Sequence, residues 1–142
     1  MAKMKISEEG LELLKSFEGC SLSSYWDIDG FSIGYGHHGA DVQKGQTITQ
    51  KQADEFLKKD IARFEKAVNA LPYDLTQGQF DALVDFAYNC GEGNLKKLTA
   101  GNYRTLSEVS AKIPAYCKAG GVVLAGLQRR REAEKKLFDG AE

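Results

Sequence analysis

The sequence has few residues of the kinds that build covalently or metal-stabilised folds. Only three cysteines occur, Cys20, Cys90 and Cys117, and none shares a Cys-x-x-Cys spacing. An odd number without that spacing argues against a disulfide framework or a zinc site and favours free or buried thiols. The two histidines, His37 and His38, are adjacent, and no further ligands complete a metal set around them. We therefore expect structural hydrogen bonding from His37, no metal and no organic cofactor.

Long hydrophobic runs and a large net charge are missing as well. Residues 1–10 are too polar for a signal peptide or anchor, which predicts a protein kept in the cytoplasm, without stable membrane insertion. The formal net charge is −1, so nucleic acid is not an expected partner. Ten Lys and Arg against five Asp and Glu lie between residues 94 and 142. That segment suits an anionic polymer, although a solvated helix surface explains it equally well.

What remains is the composition of one globular domain. The chain has 142 residues, of which 42% are hydrophobic and 27% charged, enough for a real core. Helical apolar spacing and short alternating segments together predict an α+β fold. The predicted helices start after Ser7, at the capping box Thr49–Gln52, at a second capping box Thr76–Gln79, near Leu95, at Thr105 and at Leu124. The predicted strands cover residues 21–26, 31–35 and 46–48.

The most informative stretch is residues 17–38. Glu18 ends the first predicted helix at the edge of its apolar stripe, where partial burial favours a protonated carboxyl, and Gly19 stops that helix. Asp27 opens the turn Asp-Ile-Asp-Gly and is expected on a hairpin beside the helix end. One carboxyl in apolar surroundings and one exposed to solvent suit the separate acid and base roles that cleavage of a glycosidic bond needs. A solvated Glu and a turn-forming Asp are the ordinary alternative.

Several motifs in this stretch carry a resemblance to a known family. Glu18-Gly19, Asp27 eight residues later, Gly30 and the run Ile33-Gly-Tyr-Gly-His37 closely resemble the phage-type lysozymes, glycoside hydrolase family 24. Near the C-terminus, Gly126-Leu127 followed by Arg129–Arg131 and Glu134 resembles the family's Gly-Leu-x-x-Arg-Arg-x-x-Glu run. The similarity covers nearly the whole chain.

The resemblance implies a lysozyme-like α+β fold in one domain, residues 1–142. A small β lobe with a three-stranded antiparallel sheet would cover residues 19–50, and a larger helical lobe residues 1–18 and 72–142. The helix 50–71 would join the two lobes, and its length along the axis would rise by roughly 1.5 Å per residue. An extended polymer would lie in a cleft between the lobes.

It also implies an endolysin that hydrolyses the β-1,4 bond between N-acetylmuramic acid and N-acetylglucosamine. Glu18 would be the general acid, and Asp27 and Ser32 would hold the attacking water, with inversion at the anomeric carbon. The resemblance also implies roles for two further groups of residues. The substrate-binding residues would be Phe31, Gly34 and Tyr35, whereas His37 would be structural and Arg130, or else Arg131, would approach Glu18.

One departure from the family pattern leaves two alternatives open. The third catalytic position is usually a Thr separated from the Asp by five intervening residues, whereas here the only hydroxyl in register is Ser32, with four intervening residues. A serine keeps the hydroxyl but loses the methyl group that stiffens the side chain. A lytic transglycosylase, which uses one acid and no water-holding Asp, or a non-catalytic peptidoglycan-binding module therefore remains possible.

Family analogy further predicts the partners. Bacterial peptidoglycan would be the substrate and a holin would give access to the wall. We expect a monomer that stays in the host cytoplasm until its release to the periplasm.

Overall fold

The computed structural model describes residues 3–140 and confirms an α+β fold with a small three-stranded antiparallel sheet. The helices are α1 Glu8–Glu18, α2 Gln50–Asn69, α3 Gln77–Cys90, α4 Glu92–Leu98, α5 Leu106–Lys112 and α6 Ala125–Phe138, with a 3₁₀ turn at Ile113–Ala115. The strands are β1 Ser21–Asp27, β2 Gly30–Gly34, β3 His37–His38, β4 Lys118–Ala119 and β5 Val122–Val123. No helix among residues 3–140 combines the length and apolar character needed to span a membrane.

The described chain divides into two compact units. One is Glu12–Arg63, which holds the sheet β1-β2-β3, and the other comprises residues 3–11 and 64–140. The boundaries fall inside α1 and α2.

The sheet of the unit Glu12–Arg63 is a hairpin extended by a very short third strand. β1 and β2 pair antiparallel around the two-residue loop Ile28–Asp29, and β2 pairs with β3. The third strand predicted at residues 46–48 is wrong, because that segment makes only an isolated bridge between Ser23 and Thr47. Backbone bonds from Ser24 to Gln46 and from Ile48 to Leu22 hold this segment beside β1 without adding a regular strand.

The predicted helix boundaries follow local capping chemistry. Thr49 and Gln52 bond reciprocally, with Gln52 N donating to Thr49 Oγ1 at 3.1 Å and Thr49 N to Gln52 Oε1 at 2.9 Å. Thr76 with Gln79 forms a second complete capping box. Gly19 takes a φ of +68° after α1, as expected of a glycine that ends a helix.

The core of the second unit is built on α3. Its residues from Phe80 to Ala87 are all buried, and α6 packs along it. Buried Asp81 accepts hydrogen bonds from Ser7 N at 3.0 Å and Gln77 Nε2 at 2.8 Å, and also one from Ser7 Oγ. This carboxylate therefore ties the start of α1 to α3. Gly120 and Gly121 form the turn of a small hairpin of β4 and β5.

Candidate active site

Glu18 is placed by the end of α1 and by a glycine turn. It is half-buried as the last residue of the helix. Gly36, in the turn between β2 and β3, has a φ of +85°, and a side chain there would place its first carbon 3.4 Å from Glu18 Oε1. The lack of a side chain at residue 36 thus allows the turn to lie against the carboxyl group.

Asp27 occupies the tip of the β1–β2 hairpin. It is exposed, pairs with Gly30, and its Oδ1 accepts a hydrogen bond from Ile28 N at 3.1 Å. The neighbouring Trp26 is 64% exposed and packs edge-on against Phe31, with ring centroids 5.3 Å apart. The hairpin therefore presents a carboxylate beside an exposed aromatic surface.

Tyr25 links the predicted catalytic residues electrostatically. Burial raises the pKa of its phenol, the negative charges of Asp27 and Glu18 raise it further, and a hydrogen bond with Ser32 lowers it in part. Tyr25 thus lies within electrostatic reach of all three predicted catalytic residues. Tyr25 was not predicted from the sequence, although its position two residues before Asp27 places both on the same face of a strand.

Ser32 is buried, at 2% exposure, in the middle of the sheet. Its Oγ lies 3.0 Å from His38 Nδ1, and His38 Nε2 lies 3.3 Å from Asp29 Oδ1. The sequence analysis expected only a structural role for the histidine pair and assigned none to Asp29. The catalytic roles of Glu18, Asp27 and Ser32 stay predictions.

The three predicted substrate-binding residues differ in their surroundings. Phe31 is half-buried, whereas Gly34 and Tyr35 are buried. A side chain at Gly34 would meet Ala53 Cα of α2 at 3.6 Å. The Tyr35 hydroxyl accepts a hydrogen bond from Gln50 Nε2 at 3.0 Å. Gly34 thus permits close approach of a helix, and the substrate contacts of all three stay predictions.

His37 bonds carboxylates through both ring nitrogens. Nδ1 lies 2.8 Å from Asp60 Oδ2, Nε2 lies 2.9 Å from Asp41 Oδ2, and the ring stacks on Phe56. Burial lowers the pKa of His37, but the hydrogen bonds to Asp41 and Asp60 outweigh it, so the pKa is raised. The bond with His37 in turn lowers the pKa of Asp41, against a smaller effect of burial. This cluster braces the end of the sheet against α2.

Arg130 lies in the other unit and forms a bidentate pair with Asp85. Its Nε and Nη2 donate to the two Asp85 oxygens at 3.0 and 2.9 Å. Beside it, fully buried Arg131 donates from Nη2 to Glu134 Oε2 at 2.9 Å. The expected approach of an arginine to Glu18 joins residues of the two units and stays a prediction.

The two buried carboxyls of this network differ in charge. Burial raises the pKa of Glu134 well above its usual value, and the hydrogen bond to Asp85 and the charge of Asp85 raise it further. Burial also acts to raise the pKa of Asp85, but hydrogen bonds with Glu134 and Arg130 outweigh it and lower the pKa. Of the two carboxyls, Glu134 is thus the one on which a proton is favoured. Among residues 3–140, no cluster of three or more His, Cys, Asp or Glu side chains is arranged to hold a metal ion.

Comparison with known proteins identifies the family. Residues 15–134 match the sequence profile described as Phage lysozyme. The chain belongs to the phage lysozyme family. Endolysins are among its relatives: that of Bacillus phage PZA is 43% identical over 143 aligned positions, covering 96% of this chain and 55% of the relative. The chain spans about half the length of such curated relatives.

Solved structures from this family share the fold. The muramidase domain of SpmX from Asticaccaulis excentricus superposes with a TM-score of 0.82 at 38% identity, covering 94% of this chain and 97% of that domain. The endolysin from Escherichia coli O157:H7 phage FAHEc1 has a TM-score of 0.81 at 34% identity, with 96% and 94% coverage. The predicted lysozyme-like fold is thereby confirmed.

Proposed function

We propose that the chain is an endolysin muramidase. It hydrolyses the β-1,4 bond between N-acetylmuramic acid and N-acetylglucosamine in bacterial peptidoglycan and so lyses the host cell. Membership of the phage lysozyme family supports this proposal, as do relatives named endolysin and a structural neighbour named as a muramidase domain.

The observation that carries the proposal is the unlike setting of two carboxyls in the unit Glu12–Arg63. Glu18 is half-buried at the end of α1, and Asp27 is exposed at the tip of the β1–β2 hairpin. Acid and base roles require two carboxyls in unlike settings of this kind.

In the proposed mechanism, Glu18 donates a proton to the glycosidic oxygen as the bond to the leaving sugar breaks. Asp27 accepts a proton from a water molecule on the opposite face of the ring, and that water attacks the anomeric carbon. Ser32 helps to hold the water. Inversion follows from attack opposite to the leaving group, and it requires carboxyls about 6.5–9.5 Å apart.

The substitution Glu18→Gln tests the assignment, because it keeps the side-chain shape and removes the acidic proton. We expect loss of turbidity clearance on permeabilised cells, with an unchanged thermal unfolding midpoint. Glu12→Gln, an exposed substitution on the same helix, is the matched control and should clear at the wild-type rate. Clearance by Glu18→Gln at that same rate would refute the proposal.

The products distinguish the proposed reaction from its alternatives. Hydrolysis leaves a reducing N-acetylmuramic acid end, whereas a lytic transglycosylase forms an anhydro ring that lacks one water molecule. Mass spectrometry of digested peptidoglycan should show only the reducing ends. Anhydro products would establish the transglycosylase reaction, and wall binding with neither product would indicate a binding module.

A further inference from the structure

We propose that His38, held by Asp29, is a positioning residue that sets the direction of the Ser32 hydroxyl and makes its oxygen a hydrogen-bond acceptor toward the attacking water. The catalytic consequence rests on the proposed function, whereas the arrangement itself can be tested without it.

A row of side chains across the sheet carries this inference. In the strand register, Ser32 is the cross-strand partner of Tyr25 on one side and of His38 on the other. Directly opposed residues in a sheet project to the same face. Ser32 Oγ lies 3.0 Å from His38 Nδ1. The buried hydroxyl therefore lies between Tyr25 and His38 on the neighbouring strands, and its hydrogen bond runs to His38.

Asp29 determines which nitrogen of His38 carries the proton. Its Oδ1 lies 3.3 Å from His38 Nε2, and the negative charge of a carboxylate at that distance favours the imidazole proton on this nitrogen. In the neutral imidazole the proton is thus on Nε2, and Nδ1 is left as an acceptor. Ser32 consequently donates its only hydroxyl proton to His38 Nδ1.

This tautomer of His38 determines which hydrogen-bonding positions of the Ser32 hydroxyl remain for other groups. A hydroxyl has one donor and two acceptor positions. With the proton directed to His38, the acceptor positions of the Ser32 oxygen remain, and one of them can serve an ordered water molecule. A water that donates to both Ser32 Oγ and Asp27 has its lone pair directed away from them, which is the orientation that attack on a sugar carbon needs.

The glycine at residue 30 leaves space for the imidazole ring of His38. A side chain at Gly30 would place its first carbon 2.9 Å from His38 Cε1, closer than neighbouring atoms tolerate. Ser32 also lacks the methyl group that restricts a threonine side chain. The bond to His38 therefore supplies an orientation that the serine side chain does not supply by itself.

Two substitutions at residue 38 separate hydrogen bonding from packing. Asparagine places an acceptor close to the position of Nδ1, whereas leucine fills a similar volume without one. We expect His38→Leu to lower kcat for solubilised peptidoglycan by up to about tenfold, the value of one hydrogen bond, with little change in KM. His38→Asn should recover most of the rate. Equal losses in both variants would overturn the proposal.

A double-mutant cycle tests whether His38 acts through Ser32. In a Ser32→Ala background the hydroxyl is gone, so His38→Leu should cause no further loss of kcat. An undiminished loss in that background would show that His38 acts by another route and would overturn the inference. Unfolding midpoints of all four proteins are measured alongside, and only folded variants enter the cycle.

Nitrogen NMR of the imidazole tests the arrangement even if the protein shows no muramidase activity. At pH 8 we expect His38 in the Nε2-protonated tautomer, with an Nδ1 resonance that shifts on Ser32→Ala. An Nδ1-protonated tautomer, or a resonance unaffected by that substitution, would refute the geometry. Absent activity with the expected spectrum would contradict the muramidase proposal and retain the positioning of Ser32.

Discussion

Gly36 lies directly against Glu18, so that an added side-chain carbon would stand 3.4 Å from Glu18 Oε1. The backbone of Gly36 is also left-handed, with a φ of +85°. A residue other than glycine at this position must therefore strain the turn, and its side chain would stand in contact with the predicted acid.

Gly36→Ala should lower activity more than its effect on stability explains. We expect roughly 1–2 kcal/mol of destabilisation from the left-handed backbone, together with a fall in kcat because the strained turn and the added methyl group both lie against the Glu18 carboxyl. Gly45→Ala is the matched control, since Gly45 has a φ of +77° and nothing within 4 Å of the added carbon. Chemical unfolding and turnover of both variants are compared. Equal activity losses would show that contact with Glu18 is unimportant.

His37 should make the protein more stable in mild acid than in base. Its folded pKa lies above the usual 6.5, so its contribution is fully present below pH 6.5 and is lost as the pH rises through the folded pKa. Asp41, with a pKa below 3.8, contributes above that value and loses its effect in stronger acid. The difference in unfolding free energy between wild type and His37→Gln should thus fall as the pH rises above 6.5. A difference independent of pH would contradict this account.

Asp85 and Glu134 should respond oppositely to the same type of amide substitution. The raised pKa of Glu134 favours a proton on its carboxyl, so the glutamine of Glu134→Gln can still donate to Asp85 and accept from Arg131. Asp85→Asn removes the charge that faces buried Arg130, which typically costs about 3–5 kcal/mol. Urea unfolding at pH 7 should show a large loss for Asp85→Asn and a smaller one for Glu134→Gln.

The pH dependence provides a second measurement on that pair. Because the folded pKa of Glu134 is raised above 4.5, its contribution to stability declines as the pH rises from that value. Glu134→Gln removes this decline and should gain on the wild type between pH 4.5 and pH 7. A larger loss for Glu134→Gln than for Asp85→Asn would mean that Glu134, and not Asp85, carries the charge.

Gly10→Ala should destabilise the protein although alanine is the better helix former. The added carbon would lie 2.6 Å from Cγ of buried Asp81, and overpacking of this kind costs typically about 1–3 kcal/mol. In Gly93→Ala, a helical control, the added carbon has nothing within 4 Å. That substitution should be neutral or stabilising by up to about 1 kcal/mol. Thermal unfolding of the two variants gives the comparison.

The features predicted well from the sequence are those fixed by neighbouring residues. The capping boxes at Thr49 and Thr76, and the stop at Gly19, depend on contacts within a few positions. The fold class followed from the resemblance of residues 17–38 to a family, and residues 15–134 match that family's profile. Local chemistry and a family motif therefore located the candidate site.

The features that were missed depend on strand register. A register shift between Ser21 and Tyr25 breaks simple alternation along β1, so the spacing does not show which residues face each other. β3 has only two residues, His37 and His38, too few for a recognisable pattern. The alignment of Tyr25, Ser32 and His38 across the sheet can be recognised only when the β1–β2 and β2–β3 pairings are both known. For the same reason the segment 46–48 was mistaken for the third strand.

The hairpin also carries the only tryptophan of the chain, one residue before Asp27. Trp26 is largely exposed, so its fluorescence comes from an indole ring in contact with solvent at the candidate site. A glycan fragment that covers the ring would shift the emission to shorter wavelength and protect it from quenching by iodide. The native protein thus contains an optical reporter for ligand titrations, with no label to attach.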